Sequence, residues 1–305
     1  PPYPASDSSK RSVGAARLWR DPGPVENLDL AGGPGTGAGA PRPPFTFVEE
    51  RKTGTSPKVV VTDVRNETWV AKFGSEVNAE VFATRIAWAL GYFVDTTYFV
   101  PKGKINGAKR LGRAGNFVEA DGSFVNACFE LQDKKATFLK KSGWTWQNSP
   151  FVGTRELNGL KIVLMLTSNW DNKDARNESS NTGILEYTEN ARKEWRYLIT
   201  DWGGSMGRWG RIFTREKWDC EGVTEQTEHF VKLKDGKIKW GYTGKHTSDA
   251  KEDITLSDVK WLISYLTRLT NGQIMMALEA SGATPSEVQC FAKAIHNRID
   301  QMRRL

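Results

Sequence analysis

Three cysteines and three histidines in 305 residues leave little room for thiol or imidazole chemistry. Cys128, Cys220 and Cys290 lie far apart with no Cys-x-x-Cys pair, so they make neither a disulfide framework nor a metal site. Cys128 and Cys290 fall in apolar patterns and read as buried thiols, with one bridge open to the chain only if it is exported. His229, His246 and His296 lack ligand spacing, which removes a histidine-based zinc site. No Gly-x-Ser-x-Gly elbow, His-Glu-x-x-His helix or dinucleotide fingerprint occurs, so the enzymes those motifs mark are set aside. Carboxylates are plentiful, but nothing singles out a pair for glycoside hydrolysis. No apolar run reaches the length of a membrane span. The first residue is proline rather than methionine, so a leader is expected to have been lost, and the protein is expected to be soluble, cytoplasmic or exported.

Positive charge is what the chain has in excess. A formal net charge of +7 suits an anionic ligand or surface such as a nucleotide, a phospholipid headgroup or nucleic acid. The basic residues are spread, with short clusters only at Lys134-Lys135, Lys140-Lys141 and Arg303-Arg304. No zinc finger, basic helix or single-strand-binding aromatic motif stands out, so nucleic acid ranks low among partners. Twelve tryptophans are many for this length. Most belong in a core, while Trp144 and Trp146 alternate with polar neighbours in the manner of a groove lining.

Residues 1–44 are rich in Pro, Gly, Ser and Ala and read as an extended or disordered arm. The run Gly33-Pro34-Gly35-Thr36-Gly37-Ala38-Gly39 lacks the strand and helix that a phosphate-binding loop needs, so low complexity explains it better. Leu18-Trp19-Arg20-Asp21-Pro22 is specific enough to dock on the body. Residues 45–140 are strand-rich: a hairpin of Val59–Val64 and Thr68–Phe73, a helix over Glu76–Leu90, and strands over Tyr92–Val100 and Ser123–Leu131. Residues 141–305 read as mainly helical. A buried helix is expected over Arg155–Trp170, two short strands at Gly183–Tyr187 and Trp195–Thr200, and helices starting at Thr255 and Thr284.

Three charged positions carry the functional argument. Lys72 sits inside the apolar strand Trp69-Val70-Ala71-Lys72-Phe73, and Glu80, or else Glu76, follows one helical turn apart on the next helix. Asp171 opens a polar loop after a long apolar stretch, with Lys173, Asn177 and Asn181 downstream. Asp201 ends the apolar strand Tyr197-Leu198-Ile199-Thr200 and precedes Gly203-Gly204. In this order the chain resembles the protein-kinase-like superfamily in its atypical branches: the HipA-type bacterial kinases, the phosphatidylinositol kinases, and the CotH and secretory-pathway kinases. The resemblance spans residues 57–210.

That resemblance implies an α+β, two-lobed kinase-like fold: a small β-rich N-lobe with one helix, a larger helical C-lobe, and the arm ahead of both. It also implies roles. Lys72 and Glu80 would hold the α- and β-phosphates of ATP, Asp201 and Asn181 would ligate Mg²⁺, Asp171 would align the acceptor hydroxyl, and Lys173 would offset charge on the transferring phosphoryl group. The acceptor, a protein or a small molecule, stays unassigned. Departures from the pattern are plain. No glycine-rich loop lies between Gly54 and Lys72, so phosphates would have to be covered by a different hairpin at Asp63-Val64-Arg65-Asn66. Arg176 stands five after Asp171 where many kinases place asparagine, which leaves Asn177 or Asn181 for the metal. Asn169-Trp170 replaces His-Arg before Asp171. The alternatives are a catalytically inactive kinase-like scaffold and a structural protein whose arm reaches a second copy in a homo-oligomer.

Overall fold

The computed structural model describes residues 15–189, 192–210 and 215–305. The part of the expected arm at residues 1–14 lies outside them. The fold is mixed α/β. A closed five-stranded barrel is built from β2 (Phe45–Arg51), β3 (Lys58–Thr62), β4 (Thr68–Phe73), β5 (Thr97–Asn106) and β6 (Ser123–Leu131), after a first short strand β1 (Ala15–Arg17). Its order is β2-β3-β4-β6-β5, closed by parallel pairing of Phe45 with Ile105 and Thr46 with Asn106. Strand alternation sorts the barrel's two faces. Val59, Val61, Trp69, Ala71, Phe73 and Phe129 fill its interior. The alternate residues Lys58, Val60, Val70, Lys72, Cys128 and Glu130 face outward, and α1 (Val77–Ala89) packs over part of this face through Val77, Val81 and Cys128.

A second sheet runs β1-β9-β8-β7, with β7 (Ala136–Phe138), β8 (Thr182–Glu189) and β9 (Arg192–Ile199). Around it lie α2 (Arg155–Leu166), the strand pair β10 (Arg208–Trp209) and β11 (Arg215–Glu216), α3 (Cys220–Thr227), and the hairpin β12 (Val231–Lys234) and β13 (Lys237–Trp240). The chain ends in α4 (Thr247–Lys251), α5 (Leu256–Leu266), α6 (Asn271–Ala280) and α7 (Pro285–Arg303). Capping boxes at Thr255/Asp258, Thr270/Gln273 and Thr284/Glu287 start the last three helices, each satisfying two otherwise orphaned backbone donors. No helix among the described residues is long and apolar enough to cross a membrane.

Several expectations need correcting. From residue 15 onward the Pro/Gly-rich segment is part of the body: Leu18, Val25 and Leu30 are buried in the main core. Its carbonyls are bought into the fold by side chains, with Arg85 Nη2 donating to Ala31 O at 3.0 Å, Tyr98 Oη to Thr36 O at 2.7 Å and Gln273 Nε2 to Val25 O at 2.9 Å. The glycine run is a contact surface: a methyl on Gly35 would lie 2.1 Å from Tyr98 Oη. The apolar stretch after Arg155 leaves the helix at Leu166, because Ser168 takes a left-handed conformation (φ 49°). Trp144 and Trp146 are core residues packed edge to face rather than a groove lining. Cys290 is bonded to Cys220, which ties α7 to α3, and only Cys128 remains a buried thiol.

Candidate functional site

Lys72 is the hub on the barrel side. Its Nζ lies 2.5 Å from Glu80 Oε1 on α1 and 2.6 Å from Glu130 Oε2 on β6. The strand register explains the second contact. Lys72 pairs with Cys128 and Val70 with Glu130, so Glu130 points to the same face two residues along. Burial opposes the Lys72 ammonium, yet Glu130 and Glu80 outweigh it and hold its pKa well above the usual lysine value. Glu80 is pushed up to about 7, by burial first and by Asp201 and Glu130 against the pull of Lys72. Burial likewise raises Asp95, with Glu130 adding to it.

Glu76, the alternative partner for Lys72, goes elsewhere. It accepts from Ser56 in the β2–β3 loop and is ion-paired with Lys217, and those contacts lower its pKa against the effect of burial. Glu130 has no local signal that links it to Lys72. It lies 58 positions after Lys72 and only the β4–β6 register brings it close.

Asp171 is positioned from the helical side. Arg298, buried on α7, donates to Leu166 O at 2.8 Å, Ser168 Oγ at 2.7 Å and Val223 O at 2.8 Å, which fixes the C-terminal end of α2. The loop then turns through Asn169, whose Oδ1 accepts from Asp171 N at 3.1 Å. Tyr242 Oη donates to Asn169 O at 2.5 Å, and Trp170 Nε1 donates to Glu216 O at 3.1 Å. The Asp171 carboxylate meets Lys173 Nζ at 3.3 Å and Lys245 Nζ at 3.0 Å. Lys245 carries no motif in the sequence; it arrives because its N–H bonds Trp170 O at 2.8 Å.

Asn181 and Asp201 are neighbours by topology. β8 starts at Thr182 and β9 ends at Ile199, paired with each other, so Asn181 and Thr200 sit at the same end, and Thr200 N donates to Asn181 O at 2.8 Å. Asn181 Nδ2 donates to Asp171 O at 2.6 Å. Asn177 is turned away, bonded to His246 Nε2 at 2.8 Å. Arg176, in the position where asparagine is common, is held by Asp174 at 2.6 Å and Asp249 at 2.5 Å. The Asp63–Asn66 turn does not reach the site. Lys58 pairs with Lys72 and Thr62 with Thr68, so that turn lies at the far end of β4, four residues or about 14 Å from Lys72. Arg65 anchors it instead to Ala38 O at 2.8 Å and Ala40 O at 2.6 Å.

The two sides meet at Asp201. Burial raises its pKa, Glu76 and Asp171 add to the rise, and Lys72 and a hydrogen bond from Gly203 N at 2.9 Å oppose it. The glycines after it make this close approach workable. A methyl on Gly203 would lie 2.8 Å from Glu76 Cβ, and one on Gly204 would lie 2.7 Å from Asp171 Cβ. Lys72, Glu80, Asp171, Lys173, Asn181 and Asp201 thus line one region between barrel and helices. Among the described residues no group of three or more His, Cys, Asp or Glu side chains forms a metal cage. Asp201 and Asn181 offer one carboxylate and one amide oxygen, the donor types Mg²⁺ takes alongside water and phosphate oxygens.

No protein family's sequence profile matches the chain, and no curated protein does. The solved structures to which the chain is similar include three kinases. A Helicobacter pylori proinflammatory kinase, CtkA, is 15% identical, with 87% of this chain and 98% of that one covered at a TM-score of 0.49. The Golgi casein kinase is 13% identical, with 92% and 77% covered at 0.32. Rio2 kinase from Chaetomium thermophilum, solved as an ADP/Mg²⁺-phosphoaspartate complex, is 15% identical, with 85% and 73% covered at 0.30.

Proposed function

We propose that the chain is an atypical kinase-like phosphotransferase that uses Mg-ATP, with lobes at residues 45–140 and 141–305 flanking the nucleotide. The reading rests on one observation: the glycine pair after Asp201 packs against Glu76 at the start of α1 and against Asp171 on the helical side, which brings three acids widely separated in the sequence to one place. A structural ion-pair network would not need a half-buried Asp201 at a glycine pair packed against both Glu76 and Asp171.

In this reading Lys72, held by Glu80 and Glu130, binds the α- and β-phosphates. Bound Mg²⁺ would screen the phosphate charge and align the terminal phosphoryl group. Asp201 and Asn181 hold that ion. Asp171 orients an acceptor hydroxyl and receives its proton as the new O–P bond forms and the bond to ADP breaks. Lys173 and Lys245, both on the Asp171 carboxylate, are available to offset charge on the transferring group. The acceptor class, protein or small molecule, is left open, and the Cys220–Cys290 bond favours an exported protein over a cytoplasmic one.

The test is Asp201→Asn, which keeps the side-chain volume. Wild type should release ADP from Mg-ATP and melt at a higher temperature with it, by mass action on the native state. Asp201→Asn should lose both while keeping its unliganded melting temperature. Equal turnover in the two proteins would sink the assignment. A second reading, an inactive kinase-like binding protein, draws on Arg176, which is bound up with Asp174 and Asp249 where a metal-binding asparagine is common. It predicts a thermal shift without turnover.

A further inference from the structure

Lys72 spends its charge on two carboxylates, yet a second lysine faces the same region with none. Lys58, at the start of β3, is the direct cross-strand partner of Lys72. Directly opposed residues on neighbouring antiparallel strands share a face, with Cβ atoms about 5 Å apart, and like charges there repel. Among the described residues Lys58 has no ion-pair or hydrogen-bond partner, while Lys72 has Glu80 and Glu130. It is half-buried, and the loss of water together with Lys72 lowers its pKa against the pull of Glu130, Asp201 and Glu80. A half-buried ammonium beside another ammonium is an unfavourable arrangement in the ligand-free chain, and an anion placed between the two relieves it.

The loop that leads into Lys58 has the matching form. Residues 52–57 join β2 to β3 at the Lys72 end of the sheet, the end that the Asp63–Asn66 turn does not reach. From outside, Arg113 grips the loop, donating to Lys52 O at 2.9 Å, Gly54 O at 2.9 Å and Thr55 O at 3.1 Å. From inside, Ser56 bonds Glu76, the acid that packs on Gly203. Gly54 lies over Lys58: a methyl there would sit 3.2 Å from Lys58 Nζ. A loop fixed from both sides and carrying one glycine stands in for a flexible glycine-rich cover.

We propose that Lys58 is a second phosphate-binding cation, which together with Lys72 and the 52–57 loop grips the polyphosphate of the nucleotide. The assignment rests on the nucleotide reading above. It divides the labour between the lysines: Lys72 is held in place by its carboxylates, and Lys58 contributes the uncompensated positive charge.

Equilibrium binding of ATP, AMP and adenosine, each with Mg²⁺, to the full chain and to Lys58→Gln and Lys58→Arg tests it. Losing one charge-assisted contact should weaken ATP binding by about tenfold or more in Lys58→Gln. AMP should lose less, adenosine nothing, and Lys58→Arg should restore most of the ATP affinity. Tripolyphosphate should compete with ATP on wild type and compete poorly on Lys58→Gln. Equal weakening of ATP and adenosine would make Lys58 a structural residue and overturn the proposal. ATP affinity unchanged in Lys58→Gln, with wild type binding normally, overturns it alone. No binding of ATP by wild type overturns it together with the kinase reading.

Discussion

Two charge clusters face each other across the site, and they are inversions of one another. On the barrel side one ammonium, Lys72, sits between two carboxylates, Glu80 and Glu130. On the helical side one carboxylate, Asp171, sits between two ammoniums, Lys173 and Lys245. They differ in solvent access as well. The difference lies in one residue on each side: Glu80 is 4% exposed and Lys245 30%, while Lys72, Glu130, Lys173 and Asp171 lie between 14% and 19%. Buried charges gain from pairing only if every one is compensated, while wetter ones are screened. The barrel cluster is therefore a rigid, high-stakes element that holds a lysine still, and the helical cluster is a loosely bound carboxylate free to exchange its partners for a substrate.

The largest effect follows directly. Lys72→Met strands two buried carboxylates and should cost about 3–5 kcal/mol of stability, measured by urea unfolding, along with nucleotide binding. Asp171→Asn leaves two lysines that water can reach, and should cost about 1 kcal/mol or less while abolishing turnover. Equal destabilisation by the two substitutions would erase the distinction between the clusters.

The contrast also sets what the sequence makes legible. Lys72 and the helix that follows it are close in sequence, so periodicity narrows its partner to Glu76 or Glu80, and the structure selects Glu80. The hairpin, the first helix and the helices starting at Thr255 and Thr284 come from local rules, whereas the order Lys72, Asp171, Asp201 is read through a resemblance to kinase-like proteins. Glu130 and Lys245 come from neither. One reaches Lys72 only through barrel register, and the other reaches Asp171 through a backbone hydrogen bond to Trp170. The Pro/Gly-rich segment is misjudged for a related reason: its composition forbids a core of its own, but Leu18, Val25 and Leu30 enter a core built by others. The Cys220–Cys290 pairing is equally non-local, across 70 residues.

A smaller effect tests how tightly the two clusters are keyed together. Gly204 lets the segment carrying Asp201 pass against Asp171, and its added methyl would lie 2.7 Å from Asp171 Cβ and 3.1 Å from Asp171 N. The backbone must shift, since one of the obstructing atoms belongs to the main chain. Gly204→Ala should cost about 1–3 kcal/mol in stability, as overpacked substitutions do. Its loss of turnover should exceed its loss of nucleotide affinity, because Asp171 moves while Lys72 does not. A variant with wild-type turnover would mean that the spacing of Asp171 and Asp201 is not part of the mechanism.

The smallest effect is a slope rather than a loss. Burial pushes Glu80 up to about 7 from an ordinary value of 4.5, against the attraction of Lys72. Between those two values the native protein holds a proton on Glu80 that the unfolded chain releases. The native state binds more protons in that window, so the contribution of this group to stability falls as pH rises through it and is flat above about 7. Glu80→Gln mimics the protonated form and removes the titration. Unfolding midpoints of wild type relative to Glu80→Gln should therefore decline with rising pH across the window, with Lys72 charged throughout because Glu130 and Glu80 hold its pKa high. The opposite slope would mean that Lys72 keeps Glu80 ionised, that attraction outweighs burial on the barrel side, and that the two clusters are balanced alike.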